Sequence, residues 1–371
     1  MSRMTDDDLI HKLQICRTAS IGPVTCSLLM ARYPSASEAL AAIPELSARG
    51  GRKLTPASRQ TILREIDATY ALGGQFITRG SDAYPVSLDR YEDAPLVLSV
   101  RGHISLLKPQ SVALIGARNA SMNAVKLSRY YARMLGEEGF VVISGLARGI
   151  DKSAHEGALA TGTVGVSACG LDQIYPAENE TLYQQMYEQG LVITERALGT
   201  TPHARLFPAR NRIIASLSRA VLVVEAARHS GSLITAREAA DRSIDVLALP
   251  GSPLDPRSQG CNQLIRDGAI LVQTPDDVIS HLKTLLEIQV MPPPHYTPPA
   301  ITPAPLSDDD ARTLKSLLLD NLSHDPISVD ELARFCDVPA DVILSLSLEL
   351  ELSGQIQRHY GQKISKILGV E

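Results

Sequence analysis

Apolar positions along this 371-residue chain follow two rhythms. Between residues 111 and 285 short continuous apolar runs recur: "VALIG" (112–116), "FVVIS" (140–144), "TVGVSA" (163–168), "LVIT" (191–194), "AVLVVE" (220–225), "IDVLALP" (244–250) and "AILV" (269–272). The segments between them, such as "SMNAVKLSRYYARMLGEEG" and "GSLITAREAADRS", repeat apolar residues at three- and four-residue spacing. The runs predict strands buried on both faces, and the spacing predicts amphipathic helices. Strand–helix alternation of this kind predicts a parallel sheet covered by helices on both sides.

Outside that block the pattern changes. The first hundred residues read as helical. There "LIHKLQICRTASIGPVTCSLLMARY" is broken at "SIGP", a turn between two short helices, as in a helix–hairpin–helix or sterile-alpha-motif-like unit. Residues 286–306 carry seven prolines and predict a stiff, extended linker. Beyond it, "ISVDELARFCDVPADVILSLSLELELSGQIQRHYGQKISKI" predicts a capped helix, a turn, a second helix and a hairpin. Ser328 is the expected N-cap, with Glu331 completing a capping box. The expected architecture is therefore α/β, an extended Rossmann-like parallel sheet at 81–285. A small N-terminal helical domain (1–80) precedes it, and a winged helix (307–371) follows the linker.

Composition narrows the classes. A hydrophobic fraction of 44% is ample for a core, and no uninterrupted apolar stretch approaches membrane-spanning length. "MSRMTDDDLIHKL" has three consecutive aspartates and does not resemble a secretory signal. Five scattered cysteines without a CxxC predict reduced thiols in a cytoplasm and no structural metal. The net charge of −5 gives no global sign of a polyanion partner. Residues 307–371 hold six basic against twelve acidic residues, a poor surface for nucleic acid, whereas 111–275 hold sixteen against fifteen.

In open α/β sheets ligands bind beyond the carboxyl ends of the strands. Three such ends are rich in Gly and Ser. "GARNAS" brings Gly116, Arg118, Asn119 and Ser121 (an expected N-cap), "SGLARGID" follows the second strand, and "EAARHSGSLITARE" brings Ser230, Gly231, Ser232 and Thr235. Helix N-termini of this kind suit phosphate. Neither GxGxxG nor GxxxxGK[ST] occurs. Arg118, Arg148, Arg205, Arg210 and Arg212 instead predict several phosphates spread along a groove.

"ISGLARGIDKSAHEGAL" (143–159) offers Asp151, Ser153 and His155, which invites a hydrolytic reading. The other reading puts Asp151 in a first helical turn with His155 packed below it. No second carboxylate or activated nucleophile completes a triad, so the stretch reads as a holder: Gly145 and Gly149 admit a phosphate and Arg148 supplies charge. No catalytic residue, cofactor or metal is expected. In "FPARNRIIASLSRAVLVVEA", Phe207 is one of four phenylalanines in a chain without tryptophan. Among Arg205, Arg210 and Arg212 it is either a base-stacking aromatic or a plug between helix and sheet.

Together "VALIGARNAS", "VVISGLARGIDKSAHEGAL", "GLDQIYPAEN", "FPARNRIIASLSRAVLVVEAARHSGSLITA" and "LALPGSPLDPRSQGCNQLIRDGA" resemble the DNA-processing protein A family (DprA, also called Smf) in order and spacing. The resemblance implies a non-enzymatic cytoplasmic protein that binds single-stranded DNA. It would protect incoming strands in natural transformation, load the RecA recombinase for recombination, and form a homodimer. It assigns phosphate contacts to Arg118, Ser144, Gly145, Arg148, Gly149, Arg210 and Asn211, and a base contact to Phe207. Ser230, Gly231 and Ser232 complete the pocket. Arg205 is the basic residue leading into Phe207, with His203 the competitor. Leu264 and Ile265, in "GCNQLIRDGA", fall to the dimer and RecA surfaces. The chain departs from the family pattern at Asn123, where glycine is usual, and at Ser167 and Ala168.

Two other functions compete. "SGSLITARE" with Glu238 resembles part of the Rossmann-like nucleotide phosphoribohydrolases (the lysine-decarboxylase-like family), but the glycine doublet and paired Arg and Glu are missing. A duplex-DNA regulator would need basic residues on its recognition helix, and "VPADVILSLSLELELSGQ" has none, so the tail reads as a protein-interaction module.

Overall fold

A computed structural model describes residues 6–51, 53–288, 307–359 and 361–367. They fall into two compact units. One holds residues up to Ile66, Tyr91–Val97 and the C-terminal residues; the other holds Asp67–Arg90 and the residues from Leu98 to the end of the central block.

Elements run in the order α1 (Asp7–Arg17), α2 (Pro23–Arg32), α3 (Ala36–Arg49), α4 (Arg59–Ala71), β1 (Gln75–Thr78), α5 (Val86–Asp89) and β2 (Val97–Gly102). The alternating block follows: β3 (Ser111–Ile115), α6 (Met122–Glu137), β4 (Val141–Ser144), α7 (Ile150–Ala158), β5 (Thr163–Val166), α8 (Glu180–Gln189) and β6 (Leu191–Thr194). It continues through α9 (Leu206–Leu217), β7 (Ala220–Val223), α10 (Ser232–Asp241), β8 (Asp245–Ala248), α11 (Gln259–Arg266), β9 (Ile270–Leu271) and α12 (Pro275–Ile288). The C-terminal module has α13 (Asp308–Asn321), β10 (Ile327–Ser328), α14 (Val329–Cys336), α15 (Ala340–Leu352), β11 (Ile356–His359) and β12 (Lys363–Lys366).

Among the described residues the central sheet has nine strands in the order β1-β2-β6-β5-β4-β3-β7-β8-β9. Each of the seven runs read from the sequence is a strand, and these seven pair in parallel. β3 lies in the middle, wholly buried, with Leu114 opposite Leu222 of β7. Burying such side chains on both faces contributes about 1.5–3 kcal/mol each. The first hundred residues are not all helical, which corrects the sequence reading. β2 pairs antiparallel with β6 through Ser99–Gly102, and β1 extends that edge. These short strands gain their order from the sheet they join, a tertiary effect that local pattern does not carry. α12 runs on to Ile288, three residues into the span read as linker; the rest of 286–306 lies outside the described residues.

The chain passes from β3 through α6 to β4 on one side, then returns from β6 through α9 to β7 on the other. Loops leaving β3 and β7 therefore diverge and open a crevice at their carboxyl ends.

The C-terminal module has winged-helix order, with a three-stranded sheet β10-β12-β11. The capping box at Ser328 and Glu331 is present. Among the described residues no helix is long and apolar enough to cross a membrane.

Candidate functional site

A cavity of about 990 Å³ occupies the crevice at the ends of β3 and β7. Three loops and the helix α9 build most of its walls. From the β3 loop come Arg118 and Asn119, both exposed. From α9 come Phe207, Arg210 and Asn211, and from the loop before α8 comes Tyr175. From the β7–α10 loop come Arg228, His229 and Ser230 to Ser232.

Phe207 is half-buried and stands between two partners. The Arg118 guanidinium lies over its ring at 5.0 Å, and the Tyr175 ring lies 5.4 Å away at 50°. A cation–π pair beside a second ring at a groove wall presents both charge and a stacking surface. Phe207 is thus neither wholly a plug nor wholly free.

The helix N-termini differ in a way the sequence did not reveal. At α6, Ser121 caps the first turn, while its own N–H and Oγ donate to the Glu225 carboxylate at 2.9 and 2.6 Å. At the start of α7, the Asp151 carboxylate turns back to accept from Gly145 N at 3.1 Å and Ala147 N at 3.4 Å. Internal acids therefore occupy two of the three expected anion seats. At α10 no side chain caps the helix, Gly231 has open space around it, and Ser230 Oγ lies 2.7 Å from Ser232 Oγ. That end carries the positive pole of a helix dipole into the cavity.

Beneath the loops lies Arg210. Its Nη1 donates to the carbonyls of Gly145 and Val166, and its Nε donates to Asn211 Oδ1 at 3.2 Å. It reaches the cavity wall, but it is buried and faces Asp151. Burial pushes the Asp151 carboxyl up while Arg210 pulls it down; burial likewise lowers Arg210. The pair ties the β4, β5 and α9 ends together.

Other expected contacts sit elsewhere. The Ser144 hydroxyl is fully buried, donates to Leu114 O at 2.6 Å and does not line the cavity. Gly145 and Gly149 lie behind the wall. Gly149, at φ +78°, packs against the β3 loop, where a Cβ would lie 2.6 Å from Arg118 O. Arg148 and Arg205 are exposed outside the cavity lining. Arg212 pairs with Glu195 and is buried. His155 is a core residue, its Nδ1 2.7 Å from Thr163 Oγ1, with a pKa lowered to about 3 by burial and by Arg210. Ser153 Oγ donates to Ile150 O at 2.9 Å. The Asp–Ser–His stretch thus has no hydrolytic geometry. Leu264 and Ile265 are half-buried on α11, away from this crevice.

Sequence reasoning missed Tyr175, Arg228 and His229 as wall residues. "GLDQIYPAEN" and "EAARHSGS" held them, but nothing local marks a loop residue for a distant wall. Arg257 also lines the rim, where Asp255 holds it by two hydrogen bonds. Among the described residues no group of His, Cys, Asp and Glu is arranged to hold a metal ion.

The molecule is thus an α/β protein with an arginine- and aromatic-walled crevice at its switch point, accompanied by a helical and a winged-helix module. It belongs to the DNA recombination-mediator protein A family, whose model matches residues 75–283. A DprA-like N-terminal HHH domain matches 6–68, and a DprA winged helix domain matches 298–362. The chain is 43% identical over 204 residues to DNA processing protein DprA of Streptococcus pneumoniae, covering 54% of this chain and 72% of that one. It is 37% identical over 285 residues to protein Smf of Escherichia coli, covering 76% and 74%. The structure of the Streptococcus pneumoniae protein superposes with a TM-score of 0.57 at 39% identity, over 60% of this chain and 78% of that one. DNA processing protein A of Helicobacter pylori, described for its unique single-stranded DNA binding mode, superposes with a TM-score of 0.52 at 32% identity, over 58% and 97%.

Proposed function

We propose that the crevice is a cradle for single-stranded DNA, and that the chain protects such strands and passes them to the RecA recombinase during transformation and recombination. The observation that carries this reading is the Arg118–Phe207–Tyr175 wall opposite the uncapped α10 N-terminus. A strand would stack a base on Phe207 and set a phosphate at Gly231 and Ser232, with Arg118 and Arg228 supplying charge. Asn211 lines the same wall. Arg210, Ser144, Gly145 and Gly149 act behind it as positioning residues. Arg148 and Arg205 extend the basic path outside the cavity. The family's description as a recombination mediator supports the RecA step, and "GCNQLIRDGA" with Leu264 and Ile265 is the surface proposed for a homodimer.

No bond is made or broken in this reading, and the work lies in the cytoplasm. A phosphoribohydrolase would need a free carboxylate over the ligand, yet Glu238 pairs with Arg242 at 3.0 Å and does not line the cavity.

The test is binding of oligothymidine and of duplex at two ionic strengths, followed by anisotropy. The expected result is preference for the single strand, with a salt slope of about −0.7 per neutralised phosphate. Equal affinity for both forms, or release of free base from nucleoside monophosphates, would end the reading. Recruitment of RecA to a coated strand, compared between the wild-type chain and Leu264→Asp, tests the partner surfaces.

A further inference from the structure

In a winged helix the helix before the wing is the one that enters a DNA groove. Here that helix is α15, and every residue from Val342 to Leu352 is buried. It bears Asp341, Glu349 and Glu351 and no basic residue. Burial all round means that something covers the face a groove would need. The cover is the N-terminal helical domain, which belongs to the same compact unit.

The fit is specific on both sides. Gly50, just past α3, has no room for a side chain: a Cβ there would overlap the carbonyl of Glu349 and lie 2.9 Å from Ser353 Cβ. Lys315 of α13 reaches across to Arg49 O at 2.8 Å while pairing with Glu349 at 2.5 Å. Gln355 donates to Gly50 O. Near the wing, Gly361 N donates to Glu92 Oε1 at 2.9 Å. Val24 and Leu28 of α2, with Glu92, face Leu344, Arg358 and His359 around a void of only about 10 Å³. Acids at the seam are matched, and Glu351 pairs with Arg358 at 3.0 Å within the winged helix itself. A surface that needs a glycine, two carbonyl contacts and close packing is shaped for one partner.

We propose that the partner of α15 is the N-terminal helical domain of the chain's own α1–α4, and that the C-terminal module is a clasp joining the two ends of the chain and reads no DNA. The inference is independent of the crevice reading, since it concerns the other unit.

The test uses the full chain carrying Ser353→Cys, a small and buried position on the docked face. Iodoacetamide labelling of that thiol, mapped by peptide mass, reports on docking. The expected result is slow labelling with Gly50 present and labelling about tenfold faster with Gly50→Leu, which forces the seam apart. Lys315→Ala serves as the second variant, with a smaller acceleration in the same direction. Duplex affinity should be unchanged in both. If the thiol reacts with Gly50 present as fast as in urea, the clasp does not exist, whether or not Gly50→Leu folds. If undocking raises duplex affinity about tenfold, α15 is a masked DNA reader and the proposal is overturned.

Discussion

The Arg210 guanidinium stands where a side chain on Gly145 would begin: a Cβ there would lie 2.5 Å from Nη1. The glycine is required by an arginine sixty-five residues on, and the arginine is held by the glycine's carbonyl. Gly145 thus makes room for a buried cation that braces the loop. The consequence is a stability effect. Arg210→Met leaves two carbonyls unmatched and Asp151 buried without its counter-charge, at a cost of about 3–5 kcal/mol. Gly145→Ala overpacks the same spot, at about 1–3 kcal/mol. Arg148→Ala, at an exposed position, changes stability by less than about 0.5 kcal/mol. Urea midpoints for the three variants check the order; an Arg210→Met chain as stable as the parent would show that the arginine is not a brace.

Arg118 and Phe207 are expected to act together on DNA. Phe207→Ala removes a stacking surface worth about 1–3 kcal/mol per base, a loss of roughly 5- to 150-fold in affinity for oligothymidine. Arg118→Ala reduces the magnitude of the salt slope by about 0.7. Because the guanidinium lies over the ring, the double variant should lose less than the sum of the singles. Anisotropy titrations of the four proteins close the cycle. Strict additivity would mean that the ion and the ring meet the strand separately.

Much of this was legible beforehand, for physical reasons that can be named. The seven parallel strands announce themselves because both faces are buried, so "VALIG" and "AVLVVE" need no partner to be recognised. Ser121 and Ser328 are recognisable as caps because capping is a local matter between neighbours. What stayed hidden is long-range. Glu225 looks like the polar end of a strand, and only the fold brings it to Ser121, 104 residues away. Arg210 and Arg118 look alike in sequence, yet one is buried under a loop and the other is exposed at its rim. Tyr175 reaches Phe207 only because two loops converge.

Glu225 offers a way to separate scaffold from ligand contact. Its carboxylate satisfies Ser121 N and Oγ, so Glu225→Ala leaves a helix start short of two acceptors and lowers stability by about 1–3 kcal/mol. It also removes a negative charge near the strand's proposed path. Affinity for oligothymidine should therefore hold steady or rise while the melting temperature falls. A drop in both together, at a temperature where the variant is fully folded, would assign Glu225 a direct role in binding.

His155 gives the pH dependence. Burial and Arg210 hold its folded pKa at about 3, against an ordinary value of 6.5. Between those values the unfolded chain binds a proton that the folded chain does not, so stability is complete above pH 6.5 and falls as the pH falls. By pH 5 this one residue removes about 2 kcal/mol. Asp151, one helical turn away, has the opposite sign, because burial raises its folded pKa, and its contribution cancels when two chains sharing it are compared. His155→Gln loses some packing at every pH but has no proton to take up. The stability gap between parent and variant should therefore be widest near pH 7.5 and narrow by about 2 kcal/mol at pH 5. Urea titrations at the two pH values measure it. A gap that stays constant would mean that His155 takes up its proton as readily in the folded chain as in the unfolded one, and that burial beside Arg210 does not depress it.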